Sequence, residues 1–152
     1  MTFSMENNNI GEEAVDDIAV VLSHNTKLQN VYLGGNDLQS VGMLKIARVL
    51  QSFTTLTVLN IEGNYISDEA ANDIKAVLSH NTKLQITGLD ENNLQNSGTM
   101  KAERVLQGMQ DNDISDETAD DIATILSRNV NLQMVGLCGN DLNMAIAIAL
   151  QH

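Results

Sequence analysis

The chain has 152 residues, and its 8 Lys and Arg against 20 Asp and Glu give a formal net charge of −12. This length suits one compact domain, the 43% hydrophobic content is too high for a disordered chain, and no apolar run approaches the roughly 18 residues of a membrane span. The acidic balance argues against nucleic acid or an anionic membrane as a partner, and a single cysteine excludes an internal disulfide framework.

Internal repeats account for most of the chain. Residues 10–29 match residues 66–85 at fourteen of twenty positions, at an offset of 56, and a third copy occupies 114–133. A sister segment lies between the copies, at 34–53 and again at 90–109. The two segment types share one frame, so the repeat period is half of that offset, or 28. Anchor leucines mark this period: Leu22, Leu50, Leu78 and Leu106.

Each repeat changes from the hydrophobic period of a strand to that of a helix. Residues 3–5 align with residues 59–61, so the chain begins inside a predicted strand. A helix with one apolar stripe is predicted next, from residues spaced i, i+4, i+7 and i+8: Ala14, Ile18, Val21 and Leu22. The alternation of Val31 and Leu33 then predicts a short strand with one buried face. Each unit is therefore predicted to be one βα coil.

Polar residues mark the predicted ends of the helices. Ser67 precedes two acidic residues and is predicted to cap a helix N-terminus. His24 and His80 are predicted to contact the last carbonyl groups of their helices. Asparagine follows each of these helices, at a point where a left-handed residue commonly ends a helix: Asn25, Asn81 and Asn129.

The spacing Leu-x-x-Leu-x-Leu-x-x-Asn-x-Leu, with related residues at some positions, begins at Leu28, Leu56, Leu84 and Leu132. These residues resemble the leucine-rich repeat family, specifically its 28-residue ribonuclease-inhibitor-like class, which also forms the sensor arrays of NOD-like receptors. The resemblance covers residues 3–150 and implies a right-handed α/β solenoid, with parallel strands on the concave side and helices on the convex side. It also implies a ladder of asparagines that hydrogen-bond the backbone of neighbouring coils: Asn36, Asn64, Asn92, Asn112 and Asn140.

The repeats become irregular in the second half. We expect one domain over 1–152, with about five to six βα coils and shortened coils near 106–126 and 138–152, where the anchor leucines lie closer together. A short strand at 107–110 is predicted to replace the strand missing before Asn112, because a gap in a parallel sheet exposes two edges. The ends lack polar capping units, which predicts marginal stability and self-association through the uncapped ends.

The concave side of the predicted sheet is the candidate surface for a protein partner. An apolar stripe of Val58, Ile86 and Met134 is predicted there, with neutral drift in a decaying array as the alternative explanation. An acidic rim is predicted beside the stripe, formed by Glu6, Glu62, Asp90 and Glu91. The full set of predicted binding residues is Gln29, Asn30, Tyr32, Thr57, Val58, Asn60, Glu62, Gln85, Ile86, Asp90, Glu91, Gln133 and Met134.

No motif for catalysis, metal binding or cofactor binding is found, so the chain is predicted to be non-enzymatic and to hold no metal or cofactor. The acidic segment that begins at Asp111 resembles a calcium loop only superficially, since Asp116 and Ile122 stand where Gly and Glu are needed. Cys138 has no motif partner for nucleophilic catalysis. The acidic clusters at the helix starts are predicted to form a solvated convex face.

Protein binding through the concave sheet is the function that the sequence favours, and the resemblance points to part of an innate-immune sensor-like protein. The single cysteine, Cys138, favours a reducing compartment and therefore the cytoplasm. One alternative is an inhibitor of a basic enzyme, which the charge of −12 would suit, although the dense cysteines of ribonuclease inhibitors are absent. A GTPase-activating protein would need a distinctive arginine, whereas Arg48 and Arg104 are equivalent helix positions. A degenerate repeat fragment without independent function is the remaining alternative.

Overall fold

The computed structural model describes residues 1–84, 86–94, 112 and 140. Short 3-10 turns at Glu12–Ala14 and Asp68–Ala70 lead directly into the first and third helices. Strands and helices alternate along the described part of the chain, as the repeat pattern predicts. They are β1 (Thr2–Ser4), α1 (Val15–Ser23), β2 (Asn30–Tyr32), α2 (Gln39–Leu50), β3 (Val58–Asn60), α3 (Ala71–His80) and β4 (Ile86–Gly88).

The four strands form one parallel sheet in the order β1-β2-β3-β4. The central residue of each strand lies beside that of the next, in the series Phe3, Val31, Leu59 and Thr87. Neighbours in this sheet are therefore one full repeat apart in the chain. A parallel sheet built from consecutive strand–helix units, with a helix after each of the first three strands, is an α/β repeat fold.

The hydrophobic core lies between this sheet and the helices. Val31 and Leu59, at the centres of β2 and β3, are fully buried, while the residues on either side of them are half-buried. The anchor leucines of the three helices, Leu22, Leu50 and Leu78, belong to the same buried cluster. One strand residue and one helix residue per coil thus recur in the core at the repeat spacing, which accounts for the strictness of the leucine pattern.

The buried stripe of α1 differs from the predicted one. Val15, Ile18 and Leu22 are buried, whereas Ala14 and Val21 are exposed. Their repeat equivalents in α3, Ala70 and Val77, are buried, although Ala70 also belongs to a 3-10 turn. The difference follows from the neighbouring helices, because α3 packs against the preceding α2, whereas no described helix precedes α1.

The predicted cap at Ser67 is wrong. Its side chain makes no capping hydrogen bond at the turn that begins with Asp68. The Ser67 hydroxyl instead lies 2.7 Å from the hydroxyl of Ser40, which also accepts the Ser67 backbone N–H at 2.9 Å. The two serines therefore join neighbouring coils, and this contact takes the hydroxyl away from the helix terminus.

The predicted left-handed helix ends are also wrong for the two asparagines that the structure describes. Asn81 has φ of −89°, and Asn25 is absent from the described residues with positive φ. Each asparagine binds its own helix through the side chain, with Nδ2 donating to the carbonyl oxygen four residues earlier, Val21 at 2.7 Å and Val77 at 2.9 Å. Asn129 lies outside the described residues.

Buried asparagine side chains connect the coils just after each strand. Asn36 Oδ1 accepts the backbone N–H groups of Asn8 and Ile10, each at 3.0 Å. Its Nδ2 donates to the carbonyl oxygens of Met5 at 2.9 Å and Leu33 at 2.8 Å. Because Ile10 N–H and Leu33 C=O are enclosed here, these bonds satisfy polar groups that would otherwise be buried without partners.

The same contact recurs along the chain. Asn64, Asn92 and Asn112 each donate from Nδ2 to a carbonyl oxygen of the preceding coil, at 3.0, 3.1 and 3.1 Å. Each of those carbonyl groups also accepts the Nδ2 of the asparagine in its own coil. The shared acceptors are Leu33, Ile61 and Leu89. One continuous set of amide hydrogen bonds therefore runs across the described coils.

Asn112 makes this contact although it follows Asn92 by less than one full repeat. Its Oδ1 accepts the Leu94 N–H and its Nδ2 donates to Leu89 O, at chain separations of 18 and 23. The equivalent bonds of Asn92 have chain separations of 26 and 31, which is eight more in each case. The side chain of Asn112 is 3% exposed. The shorter repeat thus keeps the amide contact between coils.

Beyond residue 94 the structure describes Asn112 and Asn140, and Asn140 lies half-buried in a bend. The strand predicted at 107–110 and the rest of the coils near 106–126 and 138–152 lie outside the described residues. The extent of the domain therefore stays a prediction. Of the helices that the structure describes, none combines the length and apolar character required to cross a membrane.

Neighbouring helices carry different charges. In α2 the charged residues are Lys45 and Arg48, whereas α1 and its 3-10 turn carry only acids: Glu12, Glu13, Asp16 and Asp17. Lys45 Nζ lies 2.9 Å from Asp16 Oδ1, with side chains 36% and 74% exposed. At this exposure the ion pair contributes about 0–1 kcal/mol to the free energy of unfolding. It therefore slightly favours the packing of the acidic α1 against the basic α2.

We expect Asn36→Ala to lower the free energy of unfolding by about 3 kcal/mol, because it leaves several backbone groups without their amide partner. Urea denaturation with linear extrapolation measures this loss. The matched control is Asn72→Ala, on the exposed face of α3, which should be neutral or slightly stabilising because alanine favours helices. Equal effects of the two substitutions would contradict a structural role for Asn36.

Candidate functional site

The exposed side of the sheet carries most of the predicted binding residues that the structure describes. Asn30 and Tyr32 of β2, and Val58 and Asn60 of β3, are half-buried, and we call these four residues the sheet face. They flank the fully buried Val31 and Leu59, so they lie on the side of the sheet opposite the core. Around them, Gln29 and Glu91 are exposed, and Thr57, Glu62 and Asp90 are half-buried.

The predicted apolar stripe is only partly described. Ile86 is the β4 partner of the half-buried Val58. Met134 lies outside the described residues, as do Gln85 and Gln133. The stripe therefore stays a prediction.

Hydrogen bonds order the polar side chains at the beginning of the strands. Asn30 Nδ2 donates to Thr2 Oγ1 at 3.1 Å, and Thr57 Oγ1 donates to Asn30 Oδ1 at 3.0 Å. Thr57 Oγ1 also lies 3.0 Å from the carbonyl oxygen of Gln29. Side chains of three successive coils are thus held in one network, which reduces the entropy lost when a partner binds to them.

A pocket of about 140 Å³ opens where the strands end, and we call it the acidic pocket. Its residues follow β1, β2 and β3 or belong to the turn after β4, except Asn60, which is the last residue of β3. Three of them are glutamates and three are glycines. The lining consists of Glu6, Asn7, Gly34, Gly35, Asn60, Glu62, Gly63 and Glu91.

A missing side chain in the second coil gives this pocket its shape. Gly34 occupies the repeat position of Glu6 and Glu62 in the coils on either side. Asn60 Nδ2 therefore reaches past the second coil and donates to Glu6 Oε1 at 3.0 Å, a contact between residues 54 apart in the chain. Asn60 Oδ1 accepts the backbone N–H of Glu62 at 3.0 Å. The first and third coils thus meet above Gly34.

Gly88 provides the space that Asn60 needs. A Cβ atom at position 88 would lie 2.4 Å from Asn60 Oδ1, which is closer than side chains can approach. The glycine therefore permits the position of Asn60 that shapes the pocket. Sequence reasoning missed this contact. An alignment of repeats places Gly88 in register with Asn60, but it does not indicate that the Asn60 side chain lies over Gly88.

The turn that forms the pocket uses a left-handed backbone at one repeat position. The φ angles at this position are 57°, 66°, 60° and 53° for Asn7, Gly35, Gly63 and Glu91. In the second, third and fourth coils, the left-handed residue immediately precedes a ladder asparagine. Left-handed backbone costs a non-glycine residue about 1–2 kcal/mol, and Glu91 bears this cost at the edge of the pocket.

The environment of the pocket raises the pKa of Glu62. Burial raises its pKa above the ordinary value, and the neighbouring carboxylates of Asp90, Glu91 and Glu6 raise it further. The hydrogen bond with Asn60 lowers the pKa in part. The charged neighbours that act on Glu62 are thus all acidic.

The arrangement offers negative charge and hydrogen-bond acceptors. Among the described residues, no group of three His, Cys, Asp or Glu side chains is placed to hold a metal ion. His24 and His80 place Nδ1 2.8 and 2.9 Å from helix carbonyl oxygens, as predicted. The segment that begins at Asp111, apart from Asn112, and the residue Cys138 lie outside the described residues.

Comparison with known proteins agrees with this geometry. Residues 24–47 and 54–74 match the family model described as Leucine Rich repeat, which supports a leucine-rich repeat protein. The two matched segments contain β2, β3, most of α2 and the first four residues of α3. A search of curated proteins found no significant match. Leucine-rich repeats commonly mediate protein–protein interactions and are typically non-enzymatic modules.

We expect Glu62→Gln to raise the free energy of unfolding at pH 7, because it removes a charge that burial and like charges disfavour. Since the folded-state pKa is raised, the wild-type penalty is complete above that pKa. This penalty decreases as the pH falls through the folded-state pKa, and it vanishes below the ordinary pKa of 4.5. Urea denaturation between pH 4 and pH 7 measures the difference. Glu13→Gln, on the exposed 3-10 turn, is the control of equal charge, and a gain independent of pH would contradict the explanation.

We expect Gly63→Ala to destabilise the fold by about 1–2 kcal/mol through its left-handed φ alone, since no atom lies closer than 3.7 Å to the new Cβ. Gly35→Ala should cost more, because its Cβ would also lie 2.1 Å from Asn7 Oδ1. Gly11→Ala is the control, with φ of −87° and open space, and should change stability by less than about 0.5 kcal/mol. The order can be checked by thermal or urea unfolding, and equal losses at positions 11 and 63 would argue against backbone strain.

Proposed function

We propose that the chain is a leucine-rich-repeat solenoid of the ribonuclease-inhibitor-like class, a single domain over 1–152, that binds a protein partner through its sheet face. The observation that carries the proposal is the exposed side of the parallel sheet, where ordered polar, aromatic and aliphatic side chains lie side by side. The uniform register of one full repeat between strands supports the proposed class.

The chemistry of the sheet face suits a protein better than a small molecule. Tyr32 offers a large, rigid side chain of the kind that commonly contributes most to binding energy, and Val58 adds aliphatic surface beside it. Asn60 and Glu62 border these residues with polar groups. An aromatic and aliphatic centre with a polar border is the usual anatomy of a protein interface.

Two biological settings fit this activity. The resemblance to NOD-like receptor arrays favours part of an immune sensor in the cytoplasm. The acidic pocket beside the sheet face favours the second candidate, an inhibitor of a basic enzyme, since its carboxylates would attract a positively charged partner. Both settings require the same surface to be the binding surface.

Site-specific photo-crosslinking tests the proposal. Benzoylphenylalanine in place of Tyr32 lies on the sheet face, whereas the same group in place of Val21 lies on the exposed side of α1, where the valine is 45% exposed. In extracts of the source cells, we expect defined protein adducts from position 32, identified by mass spectrometry, and few from position 21. Val58→Arg should abolish the adducts, and Val41→Arg on α2 should preserve them. Adducts that form mainly at position 21 would contradict the proposal.

A further inference from the structure

The acidic pocket is an open cavity at the end of the sheet face. Gly34 forms a floor without a side chain, and Glu6 and Glu62 rise from the coils on either side of it. Asn60 extends from the sheet face to Glu6, so the pocket and the sheet face share a residue. A partner that lies on the sheet face would therefore place a projecting side chain directly into the pocket.

The charge of the pocket is not balanced by the sheet that carries it. Neither β1 to β4 nor the four residues after each strand contain a lysine or an arginine. Burial and the carboxylates of Asp90, Glu91 and Glu6 raise the pKa of Glu62, and the hydrogen bond with Asn60 offsets this rise only in part. A positive group that enters between the glutamates would relieve this repulsion. Three glutamates line the same open space of about 140 Å³, so a positive group that enters it meets several carboxylates at once.

We propose that the acidic pocket receives a lysine or arginine side chain from a basic protein partner whose backbone lies across the sheet face. The ammonium or guanidinium group would donate hydrogen bonds to the carboxylates of Glu6 and Glu62, with Glu91 at the rim. The inference rests on the proposed function, and it adds the chemistry of the partner: a cationic side chain next to an apolar or polar contact region.

A titration with a defined cationic peptide tests this inference. Tetra-arginine is the probe, and tetra-citrulline is its uncharged counterpart of nearly the same shape. The backbone amide signals of Gly34, Gly35 and Gly63 in NMR spectra report directly on the pocket floor. We expect tetra-arginine to shift these signals in a saturable manner, and tetra-citrulline to leave them unchanged.

Charge-matched variants separate the pocket from the general acidity of the chain. Glu62→Gln and Glu13→Gln remove one negative charge each, the first in the pocket and the second on the exposed turn before α1. We expect Glu62→Gln to weaken tetra-arginine binding about twofold to fivefold relative to Glu13→Gln, the range of a half-exposed ion pair. Equal affinities of the two variants would overturn the inference, because binding would then follow net charge alone.

A second variant tests the shape of the pocket without changing charge. The methyl group of Gly34→Ala would lie 3.3 Å from Asn60 Nδ2, on the pocket floor, whereas Gly11→Ala adds a methyl group in open space. We expect weaker tetra-arginine binding for the first only. If both variants bind equally while crosslinks still form at position 32, the cation site is wrong and the proposed function stands. If those crosslinks are absent as well, the proposed function itself fails.

Discussion

Every described coil depends on a primary amide that donates and accepts hydrogen bonds at once. After each strand the backbone turns away from the sheet, and the turn leaves N–H and C=O groups inside the protein. An asparagine side chain is short enough to fit there and offers two donors beside its acceptor, whereas aspartate has no donor and glutamine is one methylene longer. The contacts of Asn36, Asn64 and Asn92 thus let the chain turn, bury its leucines and begin the next helix.

The acidic pocket arises from the same turn. A residue with left-handed backbone stands directly before each ladder asparagine from Asn36 to Asn92. The residue one position earlier in the chain lies on the side of the sheet opposite the core. The half-buried Glu6 and Glu62 occupy that position in the first and third coils, and the buried Gly34 occupies it in the second. The turn that folding requires therefore also places acidic side chains in a row. In the second coil this position is a glycine, and the space left by its missing side chain contributes to the acidic pocket. Structure and candidate function have a common origin in one short segment.

The sequence predicts what recurs and misses what depends on individual side chains. Strands, anchor leucines and asparagine positions could be predicted because each of them recurs once per repeat and meets its own equivalent in the next coil. The buried stripe of α1 is narrower than predicted because no described helix precedes α1, whereas α3 buries the full stripe beside α2. The contact of Asn60 with Glu6 could not be predicted from the sequence, because it skips one coil and depends on the absence of a side chain at Gly34.

The charge difference between neighbouring helices has a consequence for how such an array grows. Lys45 stands at the repeat position that Asp17 and Asp73 hold in the coils before and after it. Loss of the second coil alone would set the acidic turns of α1 and α3 side by side, and gain of one acidic coil would do the same. Exchange of two coils together keeps unlike helices adjacent. The segment that can be duplicated without like-charge contact is therefore a pair of coils, and a pair of coils is also the offset at which the chain most resembles itself.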